Sequence, residues 1–544
     1  HGVSHGVEWG GRMEGQTDKQ RKYDRQIRLW GEHGQRLLER ASVCLLHANG
    51  LGTELLKNLV LPAVGSFTVV DNKVVTEQDL ASNFFVAPEQ LGQSRAAAVT
   101  ELLLDLNADV RGQHVDENPI DLVERDPDFF GKFSVVVACD MTLLQARKIA
   151  AVCWSKGVCF LLVRSCGLYT HMRIAVPEHE VREQRQTNPI DDMRITSPFP
   201  QLEEFANSFD LEGDVSQCPF VVLLIRLLAD FKAEHGGRIP FDTATKDAFR
   251  SQVSRLVGLD PKANNIEQAK QYIVHAFRPY SLPEEVQKLF AHERCTSLSR
   301  ESTPFWVIAR ALKDFVENEG QGTLPVEGKI PDMDAPTSVF LDTQRIYKEK
   351  AAADRQIVVD RVRTLLKALD RSEDEISVGE INLHLDTARY MAAVHYRSVE
   401  EELAGDREHR QEISSSLTMA GFCDSVAPLY VVFRALDVFV EERGRFPGDE
   451  TCTSTEADQA ELKSMVIKYL QAQNVELMAE VEPQVDDIIA EFVRFGGLEM
   501  HNVAAHAGGL ASLEVIKLIT KILMPVNNTL LVNNITGSIV PIKV

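Results

Sequence analysis

Between residues 42 and 167, short apolar segments alternate with longer segments whose apolar residues recur at helical spacing. Strands that alternate with helices ordinarily pair in parallel, because each helix carries the chain back across one face of the sheet. The pattern therefore predicts an α/β fold with a mostly parallel sheet. The predicted strands are 42–46, 65–71, 111–118, 133–140 and 158–167, and the predicted helices are 53–61, 94–107 and 142–157.

A long helical region interrupts this alternation. Charged helical segments continue from about residue 180 to about residue 400, and strand–helix alternation resumes near residue 480. There, 502–523 is predicted as a turn of small residues leading into a helix, and 529–540 as a final hairpin. The simplest organisation is a sheet domain split by an insertion. Its parts are a first segment at 13–170, a mainly helical insertion at 171–400 and a second segment at 401–544.

The composition is that of a soluble globular protein without a general affinity for nucleic acid. Hydrophobic residues make up 44% of the chain, and the formal net charge is −22. Nucleic-acid binding needs basic surface that displaces counterions, so nucleic acid is not an expected partner. The longest apolar run, 219–225, is far shorter than the ~18 residues that span a bilayer. Membrane insertion is therefore not expected.

The cysteines indicate free thiols rather than a disulfide framework or a metal site. There are nine, an odd number, and they form no C-x-x-C pair. This usage is typical of a reducing compartment, and we expect a cytoplasmic and nuclear protein. Residues 1–12 precede Met13 and are expected to be a remnant of expression outside the fold.

An R-x-L-x-x-F pattern occurs at 226–231, 310–315 and 434–439. Leu and Phe three positions apart lie on one face of a helix. The spacing between the copies is too unequal for a repeat array. These segments are therefore predicted to be packed core helices.

Residues 43–61, VCLLHANGLGTELLKNLVL, have the strand–turn–helix form of a nucleotide-binding loop. Such a loop ordinarily carries G-x-G-x-x-G, because phosphate must closely approach the backbone N–H groups at the helix N-terminus. Here the three glycine positions hold His47, Asn49 and Gly52. Asn49 tolerates the left-handed conformation, whereas the ring of His47 impairs the approach of a phosphate. About 20 residues further on, Asp71 ends a strand where an acidic residue would accept hydrogen bonds from a ribose.

Four motifs taken together point to a family. YDRQIRLWG, GLGTELLKNLVLPAVGSFTVVD, LGQSRA and AGGLASLEVIKLI follow one another along the chain. In this order they resemble the enzymes that activate ubiquitin-like proteins and their bacterial sulfur-carrier relatives, which share the Rossmann-like adenylation fold of ThiF and MoeB. Those enzymes use ATP and magnesium to adenylate the C-terminal glycine of a small β-grasp protein. The resemblance covers the predicted sheet domain at both ends of the chain.

The resemblance implies that most of the family's nucleotide ligands are missing here. The arginine and the second asparagine that hold the phosphates in active members fall on Ser82 and Ala81, and the phosphate-binding lysine falls on Arg95. The family's magnesium-binding aspartate falls on Asp140. Because a transferring phosphoryl group needs fixed cations, we expect this chain alone to bind no cofactor. The positions that correspond to the family's nucleotide site, and are expected to be vestigial, are His47, Asn49, Gly50, Gly52, Asp71, Arg95 and Asp140.

The opening segment keeps one functional residue of the family. Residues 22–40 are predicted as a short helix, a bend near Gly31 and Gly34, and a second helix. In this family an arginine of the opening helix reaches the nucleotide site of the other subunit, and Arg25 in YDRQ matches it. A guanidinium suits this role because it binds phosphate oxygens through two parallel hydrogen bonds. The alternative for Arg25 is a surface salt bridge with Asp24, and Arg28 is the second candidate for the catalytic role.

The resemblance provides no convincing catalytic cysteine. The family's nucleophile is the cysteine of a Cys-Thr pair that follows proline or methionine. Neither Cys295–Thr296, in the helical insertion, nor Cys452–Thr453 has that flank. The zinc-binding cysteine pairs of the family are absent as well. The insertion is expected to be a cysteine-domain relative without its nucleophile, with Cys295 the remaining candidate and no metal bound.

A regulatory, non-catalytic subunit of a heterodimeric activating enzyme is what the resemblance implies. The catalytic partner would supply the ATP and magnesium site, the zinc site, the catalytic cysteine and the domain that binds the downstream conjugating enzyme, and the complex would bind the ubiquitin-like modifier. Segment 329–354 is a candidate docking segment, with a solvated charged helix as the alternative. The candidate partner-binding residues are Asp342, Arg345, Tyr347 and Lys348.

Two other hypotheses stay open. A self-sufficient Rossmann-type enzyme, either an adenylyltransferase or an NAD-dependent enzyme, would bind its nucleotide at Asp71 without a partner. A scaffold that inherited only the fold would need neither a nucleotide nor Arg25. The retention of Arg25 favours the regulatory subunit over the scaffold.

Overall fold

The computed structural model describes residues 18–183, 192–211, 213, 215–256, 264–420 and 426–544. The chain forms two compact units. Residues up to 179 together with 394–544 form the first, here called the sheet unit, and residues 180–393 form the second, the helical unit. The insertion predicted at 171–400 encloses the helical unit, which is shorter at both ends. Residues 1–12 and Cys423 lie outside the described residues.

One large sheet organises the sheet unit. Its strand order is β10-β9-β6-β5-β4-β1-β2-β3. The pairs among β3, β2, β1, β4 and β5 are parallel, whereas β6, β9 and β10 pair antiparallel. The predicted mostly parallel sheet and final hairpin are therefore confirmed. The strands are β1 (Ser42–Leu46), β2 (Ser66–Val70), β3 (Arg111–Val115), β4 (Val135–Ala138), β5 (Cys159–Cys166), β6 (Tyr169–Ala175), β7 (Glu178–Val181), β8 (Ala392–His395), β9 (Thr529–Asn533) and β10 (Ser538–Ile542).

The helices follow the predicted order in the first part of the sheet unit. Those up to β7 are α1 (Asp18–Lys22), α2 (Asp24–Arg40), α3 (Gly50–Val60), α4 (Glu77–Ser82), α5 (Arg95–Leu104), α6 (Pro119–Arg125) and α7 (Leu143–Ser155). Those of the helical unit are α8 (Pro200–Asn207), α9 (Phe220–Glu234), α10 (Thr243–Arg255), α11 (Asn264–Tyr272), α12 (Glu284–Ala291), α13 (Glu293–Thr296), α14 (Pro304–Glu317), α15 (Thr337–Ala368) and α16 (Val378–Leu385). Those that return to the sheet unit are α17 (Val399–Ala404), α18 (Arg407–Ala420), α19 (Ala427–Arg443), α20 (Thr455–Ala472), α21 (Glu482–Phe495) and α22 (His501–Thr520).

Strand β6 is absent from the sequence prediction, because polar residues interrupt its apolar pattern. Every residue from Tyr169 to Ala175 is nevertheless buried. The Nε atom of Arg173 donates to the Glu402 carboxylate at 2.6 Å, and the hydroxyl of Tyr430 donates to the same carboxylate at 2.8 Å. A buried ion pair with further hydrogen bonds thus satisfies the charge that made this segment look unlike a core strand.

The prediction of a turn at the start of 502–523 is wrong, because α22 is helical from His501 onward. The small residues at the start of α22 allow this helix to pack closely against α3, and they do not form a turn. A Cβ atom on Gly508 would lie 2.9 Å from the backbone nitrogen of Leu55, so α22 approaches α3 more closely than a side chain would permit. Among the described residues, α22 is the one helix long and apolar enough to cross a membrane by length and composition, and most of it is buried inside the sheet unit.

The three R-x-L-x-x-F segments lie in α9, α14 and α19. Their Leu and Phe side chains are buried, which confirms that they are core helices. In the helical unit, α9 contributes to one apolar cluster and α14 to a second. In the sheet unit, α19 packs in a cluster that also contains residues of α20 and α21.

Candidate functional site

Hydrogen bonds of a buried tyrosine, Tyr23, hold the start of α2 on the sheet unit. Tyr23 is 2% exposed, and its hydroxyl donates to Oδ2 of Asp109 at 2.6 Å and accepts from Nδ2 of Asn107 at 3.0 Å. The Lys22 ammonium reaches the same Asp109 carboxylate at 2.8 Å. Helix α2 then bends at Gly31, as predicted, where φ is 72°. The start of α2 is therefore anchored, although much of its surface is exposed.

Arg25 is an exposed cation two residues beyond this anchor. Among the described residues it forms no hydrogen bond or ion pair. Asp24, the partner in the salt-bridge alternative, instead accepts from Nε of Arg28 at 2.9 Å. The two candidate arginines are therefore in different states, with Arg28 paired and Arg25 available for a ligand.

The loop between β1 and α3 carries His47 and Asn49 at two of the positions where a nucleotide loop has glycine. His47 takes the left-handed conformation, with φ of 63°, and its Nδ1 atom lies 3.2 Å from the carbonyl oxygen of Cys139. Asn49 is extended at φ of −70° and does not use the left-handed conformation that an asparagine tolerates. Its side chain instead caps α3 by accepting from the backbone nitrogen of Gly52 at 3.0 Å. Burial lowers the pKa of His47, which keeps the ring neutral.

A carboxylate of the chain itself binds the N-terminus of α3. Oε2 of Glu499 accepts from the backbone nitrogen of Gly50 at 2.7 Å. Its Oε1 atom accepts from the backbone nitrogen of Leu51 at 2.9 Å and from Nδ2 of Asn49 at 3.1 Å. A helix N-terminus with free N–H groups is where a phosphate would bind, and here Glu499 takes those donors.

Glu499 is the functional residue that sequence analysis missed. It follows Gly496 and Gly497, both with positive φ, which end α21 and turn the chain toward α22. The local signal is an acidic residue just after a Gly-Gly helix stop. That signal is too common to identify a ligand for a helix about 450 positions earlier.

The ribose-type aspartate is also occupied by the chain. Asp71 is 0% exposed, and its Oδ2 atom accepts from Nε of Arg95 at 2.7 Å and from the backbone nitrogen of Ala48 at 2.9 Å. Its Oδ1 atom accepts from the backbone nitrogen of Lys73 at 3.0 Å. Arg95 also donates from Nη1 to Asp79 at 2.9 Å. The acid and the cation expected at the nucleotide site therefore bind each other.

The remaining vestigial positions are satisfied in the same way. Asp140 lies 2.6 Å from the Lys73 ammonium, so its carboxylate already has a cation. Ser82 is buried, and its hydroxyl donates to the carbonyl of Gln78 at 3.1 Å. Ala81 is exposed and offers no polar side chain.

These residues do not fit a bound ATP with magnesium. The donors at α3 hold a carboxylate, Asp71 has no free oxygen for a ribose, and Asp140 is neutralised by Lys73. A cleft of about 890 Å³ beside these residues is open, but no pair of free cations faces it in the part of the chain that the structure describes.

Cys295 and the candidate docking residues of α15 all lie in the helical unit. Cys295 is fully buried, and burial raises the pKa of its thiol to about 11, which disfavours a nucleophilic thiolate. Tyr347 corrects the docking prediction, because it is 0% exposed and donates to the carbonyl of Met193 at 2.6 Å inside the helical unit. Arg345 pairs with Asp342 at 3.1 Å on the exposed face of α15, and Lys348 bonds within that helix too. This pattern is that of a solvated charged helix.

The sequence comparisons agree with this geometry. The profile described as the ThiF family matches residues 23–543. The chain is 38% identical over 527 residues to the "NEDD8-activating enzyme E1 regulatory subunit" of Danio rerio, covering 95% of this chain and 97% of that protein. It is 37% identical to the protein of the same name from Gallus gallus, covering 94% and 96%. It is 36% identical to the "NEDD8-activating enzyme E1 regulatory subunit AXR1" of Arabidopsis thaliana, covering 94% of each chain.

The Rossmann-like sheet and its vestigial nucleotide loop define a protein of the ThiF adenylation class. The relatives that match nearly the whole chain are named as regulatory subunits of the NEDD8-activating, or neddylation activating, enzyme. The chain belongs to the ThiF family and, within it, to the NEDD8-activating enzyme E1 regulatory subunits.

Proposed function

We propose that this chain is the non-catalytic subunit of a heterodimeric activating enzyme for the modifier NEDD8 and that it donates Arg25 to the ATP site of its catalytic partner. One contrast carries the proposal. The N–H groups of α3 and the Asp71 carboxylate, which would bind a nucleotide in this chain, already bind other groups of the chain, whereas Arg25 is exposed and unpaired among the described residues.

The division of labour follows from that contrast. The partner holds ATP, magnesium, the structural zinc, the catalytic cysteine and the docking site for the conjugating enzyme. This chain completes the partner's adenylation site and is upstream of cullin modification, in the cytoplasm and the nucleus. The occupied donors of α3 support the absence of adenylation from this chain, and the buried Cys295 supports the absence of thioester formation.

Arg25 has the chemistry that such a site requires. Adenylation joins the modifier's terminal carboxylate to the α-phosphorus of ATP and expels pyrophosphate, so negative charge develops on the phosphate oxygens. A guanidinium placed from the other subunit stabilises that charge, in the manner of an arginine finger. Tyr23 supports this placement, because its buried hydrogen bonds hold the backbone two residues before Arg25.

The test is pyrophosphate exchange by the reconstituted heterodimer with Arg25→Ala. We expect exchange to fall by a factor of about 10²–10³, since one cation at the transferring phosphate is lost, while assembly on a gel-filtration column is unchanged. Arg28→Ala is the matched control. It removes an arginine from the same helix, but that arginine already forms an ion pair with Asp24. Equal exchange by the Arg25 variant and the wild type would remove Arg25 from the reaction.

The alternative of a self-sufficient nucleotide enzyme makes a different prediction. Such an enzyme would bind ATP or NAD as an isolated chain, with the ribose at Asp71. The three donors already on that carboxylate oppose this function. Calorimetry with the isolated chain is expected to give no heat of binding for either nucleotide, and micromolar binding would support the alternative.

A further inference from the structure

We infer that Glu499 is a built-in replacement for phosphate, and that the N-terminus of α3 is a latent oxyanion site which the chain fills with its own carboxylate. The inference goes beyond the proposed function, because it concerns what this chain does with a nucleotide site it no longer uses. It assigns to Glu499 a role as an internal ligand.

The contact geometry is that of an anion site. Both carboxylate oxygens of Glu499 accept hydrogen bonds, and two of the three donors are backbone N–H groups in the first turn of α3. Helix α3 has 11 residues, so its aligned peptide dipoles favour negative charge at this end. Gly50 makes the approach possible, since a Cβ atom there would lie 2.7 Å from Oε2 of Glu499.

A second observation points to an anion at the same place. Arg95 is 5% exposed, and its Nη2 atom is buried without a hydrogen-bond partner. Arg95 lines the same cleft as Glu499, together with Asn49 and Ser82. A buried guanidinium nitrogen without an acceptor offers a further donor to an anion in this cleft, so Arg95 and the start of α3 together form the latent anion site. The carboxylate of Glu499 replaces only part of that site.

The replacement also joins distant parts of the sheet unit. Gly50 and Glu499 are 449 positions apart, and their contact fixes the segment between α21 and α22 against the start of α3. In an enzyme that binds a nucleotide here, a phosphate would occupy the N-terminus of this helix only while the nucleotide is bound. Here the ligand is part of the chain, so the fold closes without a nucleotide, and the Glu499 side chain occupies the place that a phosphate would take.

The test uses the full-length chain with Glu499→Ala and inorganic phosphate as the probe. The wild type is expected to show the same thermal midpoint in millimolar phosphate and in chloride of equal ionic strength, which separates specific binding from screening. The Glu499→Ala variant is expected to have a lower midpoint in chloride and to regain a few degrees in phosphate, because an anion that binds only the folded state stabilises it.

Glu450→Ala is the matched control. Glu450 is an exposed acid that lines the same cleft, so the variant removes one negative charge there without touching α3. Phosphate is expected to leave its midpoint unchanged. Rescue of both variants to the same extent, or of neither, overturns the inference. If Glu499→Ala does not accumulate as a folded protein, phosphate is expected to raise its refolding yield over chloride, and an unchanged yield overturns the inference equally.

Discussion

The Nε atom of Arg95 lies 2.7 Å from Oδ2 of Asp71, and both side chains are buried. In a nucleotide-binding relative these two positions would face a ribose and a phosphate. Here each neutralises the other, with Asp79 as a second carboxylate for the guanidinium at 2.9 Å. The two charges are therefore kept as a pair, because an unpaired charge at either position would be costly in the interior.

Arg95→Ala is expected to destabilise the sheet unit strongly. The substitution leaves the Asp71 carboxylate buried without its cation, which costs about 3–5 kcal/mol of unfolding free energy. Lys73→Ala is the control, since the Lys73–Asp140 pair is partly exposed and contributes about 1 kcal/mol or less. Denaturant unfolding of the two variants measures the difference, and similar losses would contradict a special role for the buried pair.

Two neighbouring glycines of α22 are expected to respond oppositely to alanine. A Cβ atom on Gly508 would meet Glu54 and the backbone of Leu55 at 2.9 Å, so Gly508→Ala forces the helices apart and costs about 1–3 kcal/mol. Gly509 has open space around its added Cβ atom, and Gly509→Ala is expected to stabilise the helix by about 0.5–1 kcal/mol. Thermal unfolding of the two variants measures the difference between them. Equal shifts of the two midpoints would contradict the close packing of α22 on α3.

The stability of the wild type relative to Glu499→Gln is expected to depend on pH. Burial raises the pKa of Glu499 to about 7, although the N–H groups of Leu51 and Gly50 oppose this shift. A carboxyl with a raised pKa in the folded state stabilises the fold at low pH and loses that contribution as pH rises. The difference in unfolding free energy should therefore fall between about pH 4.5 and about pH 7, by at most about 1.4 kcal/mol per pH unit. A difference that is constant across this range would contradict the shift.

Cys295 is expected to resist alkylation in the native protein. Its thiol is buried in the helical unit and burial raises its pKa to about 11, so little thiolate is available to a reagent. Mass spectrometry after treatment with iodoacetamide should find Cys295 unmodified in buffer and modified in denaturant. In the reconstituted complex, Cys295→Ala should leave thioester formation with the modifier unchanged. Loss of the thioester in the Cys295→Ala complex would show that Cys295 is a nucleophile in the reaction.

The succession of strands and helices in the first part of the sheet unit is predictable from sequence, because each element carries its own periodicity. The segment β6 is not predictable in this way, since Arg173 pairs there with Glu402, which lies 229 positions away. The small residues of α22 have the composition of a turn, and their role becomes clear only from the close packing of α22 on α3. Local patterns therefore identify elements, whereas the partners that make a polar or glycine-rich segment structural come from distant parts of the chain.

The same limit applies to the candidate site. Matching motifs predicts which positions lack the family's nucleotide ligands, since a missing arginine or glycine is visible in the sequence. It could not identify what replaced them. The contacts of Glu499 with α3 and the pairing of Asp71 with Arg95 join residues that are far apart in the chain, so they are visible only in the folded structure.

The split of the sheet unit around the helical unit has a consequence for biosynthesis. Strand β9 pairs with β6, yet roughly 350 residues separate them, which a ribosome adds in about 20–70 s at 5–20 residues per second. Throughout that interval the nascent chain presents an unpaired edge at β6 and an uncovered apolar face on α3. Molecular chaperones that shield such surfaces are therefore expected to set the yield of this subunit in the cell.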